Sequence, residues 1–482
     1  MASPLFATKP IEQLLHTAEN AEHGLKRALG AIDLTALGVG AIIGAGIFVL
    51  TGNAAAMHAG PAIILSMIGA GVACAFAGLC YAEMASMIPI AGSAYTYSYA
   101  TLGELVAWII GWDLILEYAL GAATVSVGWA GLVMSFLAQF GIGIPPQWTI
   151  GPFQTATLAD GTVVQGVFNL PAFLIVLVVT AILIVGVRES ANVNSLIVMT
   201  KVGVVITLIV LGLPFIVPAN WSPFIPPNTG HFGEFGWSGI LTGAGKIFFA
   251  YIGFDAVSTA AQEAKNPQRD VPRGILGSLV ACTILYVLFA AVLTGVVHYT
   301  ELNTPAPVAS LVDKIQMPFM GPAMKLGAIA GLTSVMLVML YSQARIFWIM
   351  ATDGLLPKAF SALHPKFRTP YLSSALTGII VAITGGLFPI GTLGDMVSIG
   401  TLFAFVLVCA GVLVLRKTKP DLKRPFRTPF VPVVPILGML SCLGLMSGLG
   451  LHTWERLFIW LAIGLVIYFA YGRFHSKARL AA

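Results

Sequence analysis

Close to its N-terminus the chain reads Gly38-Val39-Gly40-Ala41-Ile42-Ile43-Gly44-Ala45-Gly46-Ile47-Phe48-Val49, within an apolar run long enough to cross a membrane. Glycine disfavours a helix because ordering its backbone costs more conformational entropy than for other residues. The helix is therefore predicted to break at Gly44-Ala45-Gly46. Inside a bilayer the backbone groups freed by a break need partners, because hydrocarbon offers none. A polar ligand would supply them.

The two helix ends at such a break carry opposite partial charges. The N–H groups of Gly44, Ala45 and Gly46 would open the outer half-helix and favour an anion, whereas the carbonyls that close the inner half favour a cation. Together they suit a zwitterion. A packing face of the Gly-xxx-Gly kind is the alternative interpretation of the same glycines. The features described below favour the break.

Composition restricts the class of protein. Of the 482 residues 57% are hydrophobic and 9% are charged, whereas roughly a quarter of a soluble domain is charged. The chain is therefore predicted to be a polytopic membrane protein.

The start of the chain lacks the features of a signal peptide, so the mature chain is expected to be the whole chain, with Ile11–Leu29 as an amphipathic interfacial helix. The five cysteines lie in apolar runs without ligand spacing, so we expect no disulfide, metal or cofactor.

Apolar runs of about 20 residues predict twelve membrane-spanning helices. With the N-terminus inside, about 20 of the 25 Lys and Arg residues lie on the cytoplasmic side and about three outside. This asymmetry predicts a multi-pass protein of the cell membrane with both termini in the cytoplasm, and it argues against a nucleic-acid partner. The runs are Ile32–Ala56, Pro61–Met87, Gly103–Phe140, Leu170–Val187, Asn192–Val217, Trp237–Ala261, Pro272–His298, Pro322–Met350, Ser373–Phe388, Leu393–Leu415, Val431–Leu449 and Trp454–Tyr471.

The sixth predicted helix repeats the feature of the first, because Gly253 and Asp255 lie at membrane depth. Interrupted helices five apart indicate two five-helix halves of opposite orientation, with helices 1 and 6 crossing antiparallel at a site near the midplane. The predicted parts are a cytoplasmic segment with the interfacial helix (residues 1–30), a first repeat (31–217), a second repeat (218–415), and two further helices with a cytoplasmic tail (416–482).

Several separate stretches resemble the amino acid–polyamine–organocation superfamily and, within it, bacterial proton-coupled members of the cationic amino acid transporter branch. The resemblance covers helices 1 to 10 and implies a LeuT-type fold with 5+5 inverted repeats, broken helices 1 and 6, and alternating access. It also implies uptake of amino acids. The stretches that carry it are Gly38–Phe48, Tyr81–Tyr95, Phe248–Asp255, Lys265–Pro272 and Asp353–Pro357.

The family pattern implies where an amino acid would bind. Its carboxylate would meet the N–H groups of Gly44, Ala45 and Gly46. Phe249 would close over the ligand as an aromatic gate, unless it is simply a packed phenylalanine. The amine would meet the backbone carbonyls of Ile42 in helix 1 and of Phe249, Ala250 and Ile252 in helix 6, where Gly253 is also assigned to the substrate site.

Lys201 lies midway along the fifth predicted helix, too deep for its ammonium to reach the membrane surface. Burial disfavours the charge while carbonyls at a helix break stabilise it, so the group would gain and lose a proton near physiological pH. Similarity to proton-coupled members implies that this ammonium replaces a sodium ion between helices 1 and 8. A purely structural lysine is the alternative.

Two carboxylates and two methionines are further candidates. Glu117 would face the substrate side chain or satisfy helix 1 through water. Asp255 is a functional candidate because an ionisable group costs energy in a spanning helix, and a cap on the inner half of helix 6 is the alternative. Met336 and Met339 share a face of helix 8, and a Met339 turned toward the ligand would shorten the pocket.

Three other charged residues are less clear. Glu83 and Arg345 lie near the inner ends of helices 2 and 8, as intracellular gate or packing residues. Lys246, in the outer half of helix 6, matches no part of the family pattern.

The predicted function is proton-coupled, sodium-independent symport of small neutral amino acids, with cationic ones left open as substrates. An exchanger or a cationic amino acid uniporter on the same fold is the alternative, and a nutrient sensor or channel is the candidate from another class. HExxH, GxSxG and GxxxxGK[ST] motifs are absent from the sequence, which argues against an enzyme. The expected partners are the amino acid, protons and the lipid bilayer, and a small auxiliary membrane subunit is left open.

Overall fold

A computed structural model describes residues 7–9, 29–88, 93–157, 161–186, 191–261, 264–304, 306–315 and 320–477. The predicted interfacial helix at Ile11–Leu29 lies outside these ranges apart from its last residue. Residues 89–92 of one family stretch also lie outside them, as do some of the basic residues counted to predict orientation, such as Lys26, Arg27 and Arg188.

The described chain is mainly helical, with a short antiparallel hairpin, β1 (Thr155–Thr157) and β2 (Val163–Gln165), in the predicted outer loop. The sequence pattern predicted neither this hairpin nor the short helices α4 and α11. The main helices are α1 (Ala31–Ile42), α2 (residues 46–59), α3 (Ile63–Met87), α4 (Ser93–Thr101), α5 (Glu104–Ala138), α6 (Leu170–Val185), α7 (Ala191–Gly212), α8 (Gly236–Ile247), α9 (Ala256–Thr259), α10 (Pro267–Val296), α11 (Pro307–Ile315), α12 (Met320–Thr352), α13 (Tyr371–Leu387), α14 (Ile390–Thr418), α15 (Val433–Ser447) and α16 (Leu451–His475).

Most of these helices are suited to a membrane. Eight helical segments of the described chain are long and apolar enough to cross one, and four shorter apolar helices are α1, α6, α13 and α15. Large apolar side chains such as Val466 and Leu440 are exposed on their outer faces, as expected where lipid rather than water is the solvent. The chain is thus a multi-pass membrane protein. Its twelve-helix count, inverted repeat and orientation stay predictions.

Both predicted helix breaks are present. The helix α1 ends at Ile42 because Ile43 adopts an extended backbone (φ −70°, ψ 102°), and helical structure resumes at Gly46. The second break follows α8, where a 3₁₀ turn over Phe248–Tyr251 leads into a non-helical segment before α9. Each interruption lies at the glycine-containing stretch that predicts it.

The helices next to the breaks form the core of the molecule. Helix α10 packs along α1 and α3, α12 packs along α5 and α7, and α13 packs along α6. This arrangement surrounds both breaks with helices, so their backbone is shielded from the lipid-facing surface.

The two ends of the described chain meet at one place. Lys9 Nζ lies 2.5 Å from a carboxylate oxygen of Asp353 at the end of α12, and the Tyr95 hydroxyl donates to the same carboxylate at 2.7 Å. The buried Glu104 carboxylate accepts a hydrogen bond from Ser476. Residues 7–9 and the end of α16 are therefore tied to the same ends of α4, α5 and α12.

Candidate functional site

The two helix breaks touch through glycine. A Cβ atom built on Gly46 would lie 2.3 Å from Ala250 Cα, and one on Gly253 would lie 2.8 Å from the carbonyl oxygen of Ala41. Gly253 also has φ +117°, a conformation that residues with a side chain rarely adopt. Contacts that pair 41 with 253 and 46 with 250 run in opposite directions along the two segments. The broken helices therefore cross antiparallel, with their backbones in contact.

The start of α2 provides N–H groups at this crossing. Gly44, Ala45 and Gly46 are buried, and helical structure begins at Gly46 with Ala45 as the N-cap. The first N–H groups of a helix have no intrahelical acceptor, and the helix dipole adds positive potential there. This end of α2 can therefore bind an anionic group such as a carboxylate.

Carbonyl groups predicted to bind an amine converge on one tyrosine. The Tyr286 hydroxyl on α10 lies 2.9 Å from both Ile42 O and Ala250 O. The Phe249 carbonyl accepts from the N–H of Ile252 at 3.3 Å. The structure thus brings the predicted acceptors of both breaks together, with Tyr286 bridging them.

Phe249 belongs to the 3₁₀ turn at the second break and is 4% exposed. Ile252 and Gly253 follow it in the non-helical segment, and Ile252 has an extended backbone (φ −63°, ψ 139°). A buried aromatic ring next to irregular backbone can move with that backbone more readily than one within a helix. The position of Phe249 is therefore compatible with either interpretation, gate or packed side chain.

Lys201 reaches the first break from α7. Its side chain is 1% exposed. The Nζ atom donates to Gly40 O at 2.5 Å and lies 3.5 Å from Ile43 O. These carbonyls belong to the last turn of α1 and to the break itself, so they lack the N–H donors that a continuous helix would supply. The ammonium thus stabilises the carbonyl end of α1.

Helix α12 contacts the first break through Val335, and Met339 follows one turn later on the same helix. A Cβ on Gly44 would lie 3.4 Å from the γ-methyl groups of Val335, and one on Gly121 of α5 would lie 2.9 Å from the sulfur of Met339. Met336 is fully buried. Met339 therefore shares a helix face with Val335 and packs against α5.

A buried carboxyl cluster lies between α5 and α9. The Asp255 carboxylate accepts hydrogen bonds from Tyr118 Oη at 2.7 Å and Ser93 Oγ at 3.1 Å, and makes no capping bond although Asp255 is the N-cap of α9. Glu117 accepts from Thr401 Oγ1 at 3.2 Å and lies next to Asp255. Glu117 and Tyr118 are in a π-helical turn, Leu116–Leu120, an irregularity that is frequent at functional sites.

Lys246, Glu83 and Arg345 are charged residues whose roles the sequence pattern left open, and each contacts another side chain. Lys246 on α8 forms a two-point ion pair with Asp395 on α14, at 2.7 and 2.9 Å. The guanidinium of Arg416 forms a two-point ion pair with Glu83, at 2.8 and 2.9 Å, which ties α3 to the end of α14. Arg345 is exposed and stacks over Tyr341. Glu83 and Lys246 therefore link helices, whereas Arg345 lies on the surface.

Sequence reasoning missed four residues at the breaks: Tyr286, Tyr118, Val335 and Gly331. A tyrosine in an apolar helix is a usable signal, because a buried hydroxyl needs a partner. Val335 and Gly331 carry no comparable signal. Among the described residues no group of His, Cys, Asp and Glu is placed to hold a metal ion, and all five cysteines are buried thiols.

Comparison with known proteins identifies the family. The family model described as amino acid permease matches residues 29–469. A methylthioribose transporter of Bacillus subtilis (strain 168) is 46% identical over 474 residues, covering 98% of this chain and 99% of the relative. The branched-chain amino acid permease BcaP of the same organism is 48% identical, with 99% of each chain covered. The vacuolar cationic amino acid transporter 4 of Arabidopsis thaliana is 38% identical, covering 86% of this chain and 68% of the relative. The chain belongs to the amino acid permease family.

Proposed function

We propose that the protein is a secondary active transporter of the cell membrane that takes up neutral amino acids with protons, without sodium, by alternating access. The observation that carries this proposal is the Lys201 ammonium, buried and bonded to the carbonyl end of α1 at 2.5 Å. A titratable cation at a helix break links protonation to the shape of a site built from the same break.

The substrate would bind as a zwitterion across the two breaks. Its carboxylate would accept from the N–H groups of Gly44, Ala45 and Gly46 at the start of α2. Its ammonium would donate to the carbonyls of Ile42, Phe249, Ala250 and Ile252, two of which already share the Tyr286 hydroxyl. Because the site is formed by both broken helices, movement of either half-helix would change it.

Protonation of Lys201 would control the end of α1. A charged ammonium forms hydrogen bonds roughly twice as strong as those of a neutral amine. Loss of the proton toward the cytoplasm would therefore loosen Gly40 and Ile43, and with them the carbonyl side of the site. The proposed sodium independence is supported by Lys201, whose stem passes Gly331 of α12, a residue with no side-chain oxygen to bind a sodium ion there.

The substrate side chain would lie against apolar groups. Val335 contacts the break from α12, Met339 would line the pocket from the same helix face, and neither offers a hydrogen-bond partner for a guanidinium or an ammonium. Two of the relatives above are named for branched-chain amino acids or for methylthioribose, and both have about the same identity to this chain. We therefore expect alanine, serine and the aliphatic amino acids to be better substrates than arginine or lysine.

The Met339→Ser variant tests the limit on side-chain size. Serine removes most of the methionine side chain, so arginine should compete with radiolabelled alanine about tenfold better than in the unmodified protein, a gain of roughly 1.4 kcal/mol. Met336→Ser is the matched control, since Met336 is buried one turn away and should lower stability without admitting arginine. Strong arginine competition in the unmodified protein would show that Met339 is not the limit.

Uptake into liposomes tests the proposed function as a whole. Purified protein should accumulate radiolabelled alanine or leucine when an inward proton gradient is imposed in sodium-free buffer, and a protonophore should abolish the accumulation. Uptake that requires an amino acid inside the liposome would instead identify an exchanger. Binding without accumulation would identify a sensor, and accumulation of lysine independent of the proton gradient would identify a cationic uniporter.

A further inference from the structure

The stem of Lys201 crosses helix α12 at a glycine. A Cβ atom built on Gly331 would lie 2.7 Å from Lys201 Cγ and 2.8 Å from Cδ, closer than carbon atoms approach without a clash. The same Cβ would lie 3.9 Å from Lys201 Cβ, which is an ordinary contact. The missing side chain of Gly331 therefore makes room for the middle of the lysine side chain and for no other part of it.

A side chain at Gly331 would press directly on the lysine stem, the part of the structure nearest to it. The atoms in conflict are methylene groups of a flexible side chain, and these move more easily than backbone. The ammonium that these methylenes carry donates to Gly40 O at 2.5 Å. A shift of the stem would lengthen this bond, and the energy of a hydrogen bond falls steeply with distance and angle.

We propose that Gly331 is a positioning residue for the Lys201 ammonium. Its hydrogen atom in place of a side chain lets the lysine stem pass α12 and reach the carbonyl end of α1. This inference rests on the proposed proton coupling through Lys201. It adds a second position, on a different helix, that determines whether the ammonium comes within hydrogen-bond distance of the carbonyls at the first break.

The described contacts of the Lys201 side chain come from three helices, α1, α10 and α12. Cys282 on α10 is a titratable side chain that interacts with it, and Tyr286, one turn further, holds Ile42 O. Gly331 is uncharged, so this residue of α12 acts on Lys201 through shape. A change of shape at Gly331 should therefore alter the pH dependence of transport through the lysine and not through a new charge.

Gly327 provides a matched control in the same helix interface. It lies one turn from Gly331 on α12, and a Cβ there would lie 2.5 Å from Val204 Cγ2 on α7. Gly327→Ala therefore overpacks the same pair of helices without touching Lys201. Overpacking of this kind lowers stability, but a packing cost alone does not change how uptake responds to a proton gradient.

The experiment compares G331A, G327A, K201A and the double variant K201A/G331A in liposomes and by thermal unfolding of the purified full chain. G331A should lower proton-driven alanine uptake roughly tenfold, as expected for loss of one hydrogen bond to a charged group, and should shift the pH profile. G327A should keep the profile of the unmodified protein. In thermal unfolding G331A should lower the Tm of the unmodified protein but not that of K201A, whose side chain no longer reaches the added methyl group.

The outcomes separate this inference from the proposed function. If K201A loses its pH dependence while G331A keeps the unmodified profile, the positioning role of Gly331 is overturned and proton coupling stands. If K201A keeps its pH dependence, the proposed proton role of Lys201 fails and the positioning role fails with it. Should G331A be recovered only unfolded, K201A/G331A should be recovered folded, and failure of that rescue would also overturn the inference.

Discussion

Replacing Lys201 with alanine is expected to abolish the accumulation of amino acid driven by an inward proton gradient and to leave the remaining uptake independent of pH. The substitution removes the hydrogen bond to Gly40 O and leaves this carbonyl without its charged partner. Hydrogen bonds to charged groups contribute about 1.5–3 kcal/mol each, so the carbonyl end of α1 should lose its preferred geometry. The backbone groups proposed to bind the substrate are unchanged, and some binding should persist. Uptake into liposomes at several external pH values measures the first effect.

Lys325 is the control for this substitution. Its side chain is also 1% exposed, but it pairs with Asp313 at 3.1 Å, on the short helix α11. Lys325→Ala removes a buried lysine of the same helical core without touching the first break, and it should keep the pH dependence. Ligand-induced thermal shifts show whether Lys201→Ala still binds alanine, because a ligand that binds only the folded state raises its Tm. An unchanged pH profile in Lys201→Ala would exclude the lysine as the proton carrier.

Gly46→Ala is expected to have the largest effect on substrate binding. The added methyl group would lie 2.3 Å from Ala250 Cα and 2.8 Å from Ala250 N, so backbone faces backbone and neither side can move cheaply. Overpacking of this kind costs about 1–3 kcal/mol or more. Here the strain falls on the two segments that form the site. We expect binding to weaken at least about tenfold, the change in affinity that corresponds to roughly 1.4 kcal/mol, measured by calorimetry on matched amounts of folded protein.

Gly44→Ala is the paired control, because it makes the same glycine-to-alanine change at a position where the added methyl group has more room. Its methyl group would lie 3.4 Å from the γ-methyl groups of Val335, which is close to ordinary van der Waals contact. Gly44→Ala should therefore keep the fold and lose less affinity than Gly46→Ala. Equal losses for both variants would mean that the breaks need flexible backbone rather than close approach, which is what the sequence pattern alone predicts for every glycine of the stretch.

Sequence reasoning located both breaks because their signal is local. Glycine lowers helix propensity at its own position, so Gly44 and Gly253 indicate an interruption without knowledge of any neighbour. The same is true of Lys201, since the depth of an ionisable group in a spanning helix follows from counting residues. These predictions needed only the order of residues along one helix.

Contacts between helices were not predictable in the same way. Lys246 matched no motif, although it forms an ion pair with Asp395, because the two residues are far apart in the sequence and meet only through packing. Asp255 was a candidate for ligand binding or for a cap; its carboxylate makes no capping bond and accepts from Tyr118 and Ser93, and its role in ligand binding stays a prediction. In each case a spacing rule identifies a shared helix face but not the helix that covers it.

The sequence by itself determined a multi-pass helical membrane protein with interrupted segments near Gly44 and Gly253 and with a buried lysine at position 201. Composition, apolar run length and glycine placement act within one segment, so the bilayer constraint on backbone hydrogen bonds is enough to interpret them. Only the tertiary structure decided that Gly46 contacts Ala250, that Tyr286 bridges the two breaks, and that Gly331 makes room for Lys201. These are contacts between atoms on different helices, and their distances depend on how the helices pack.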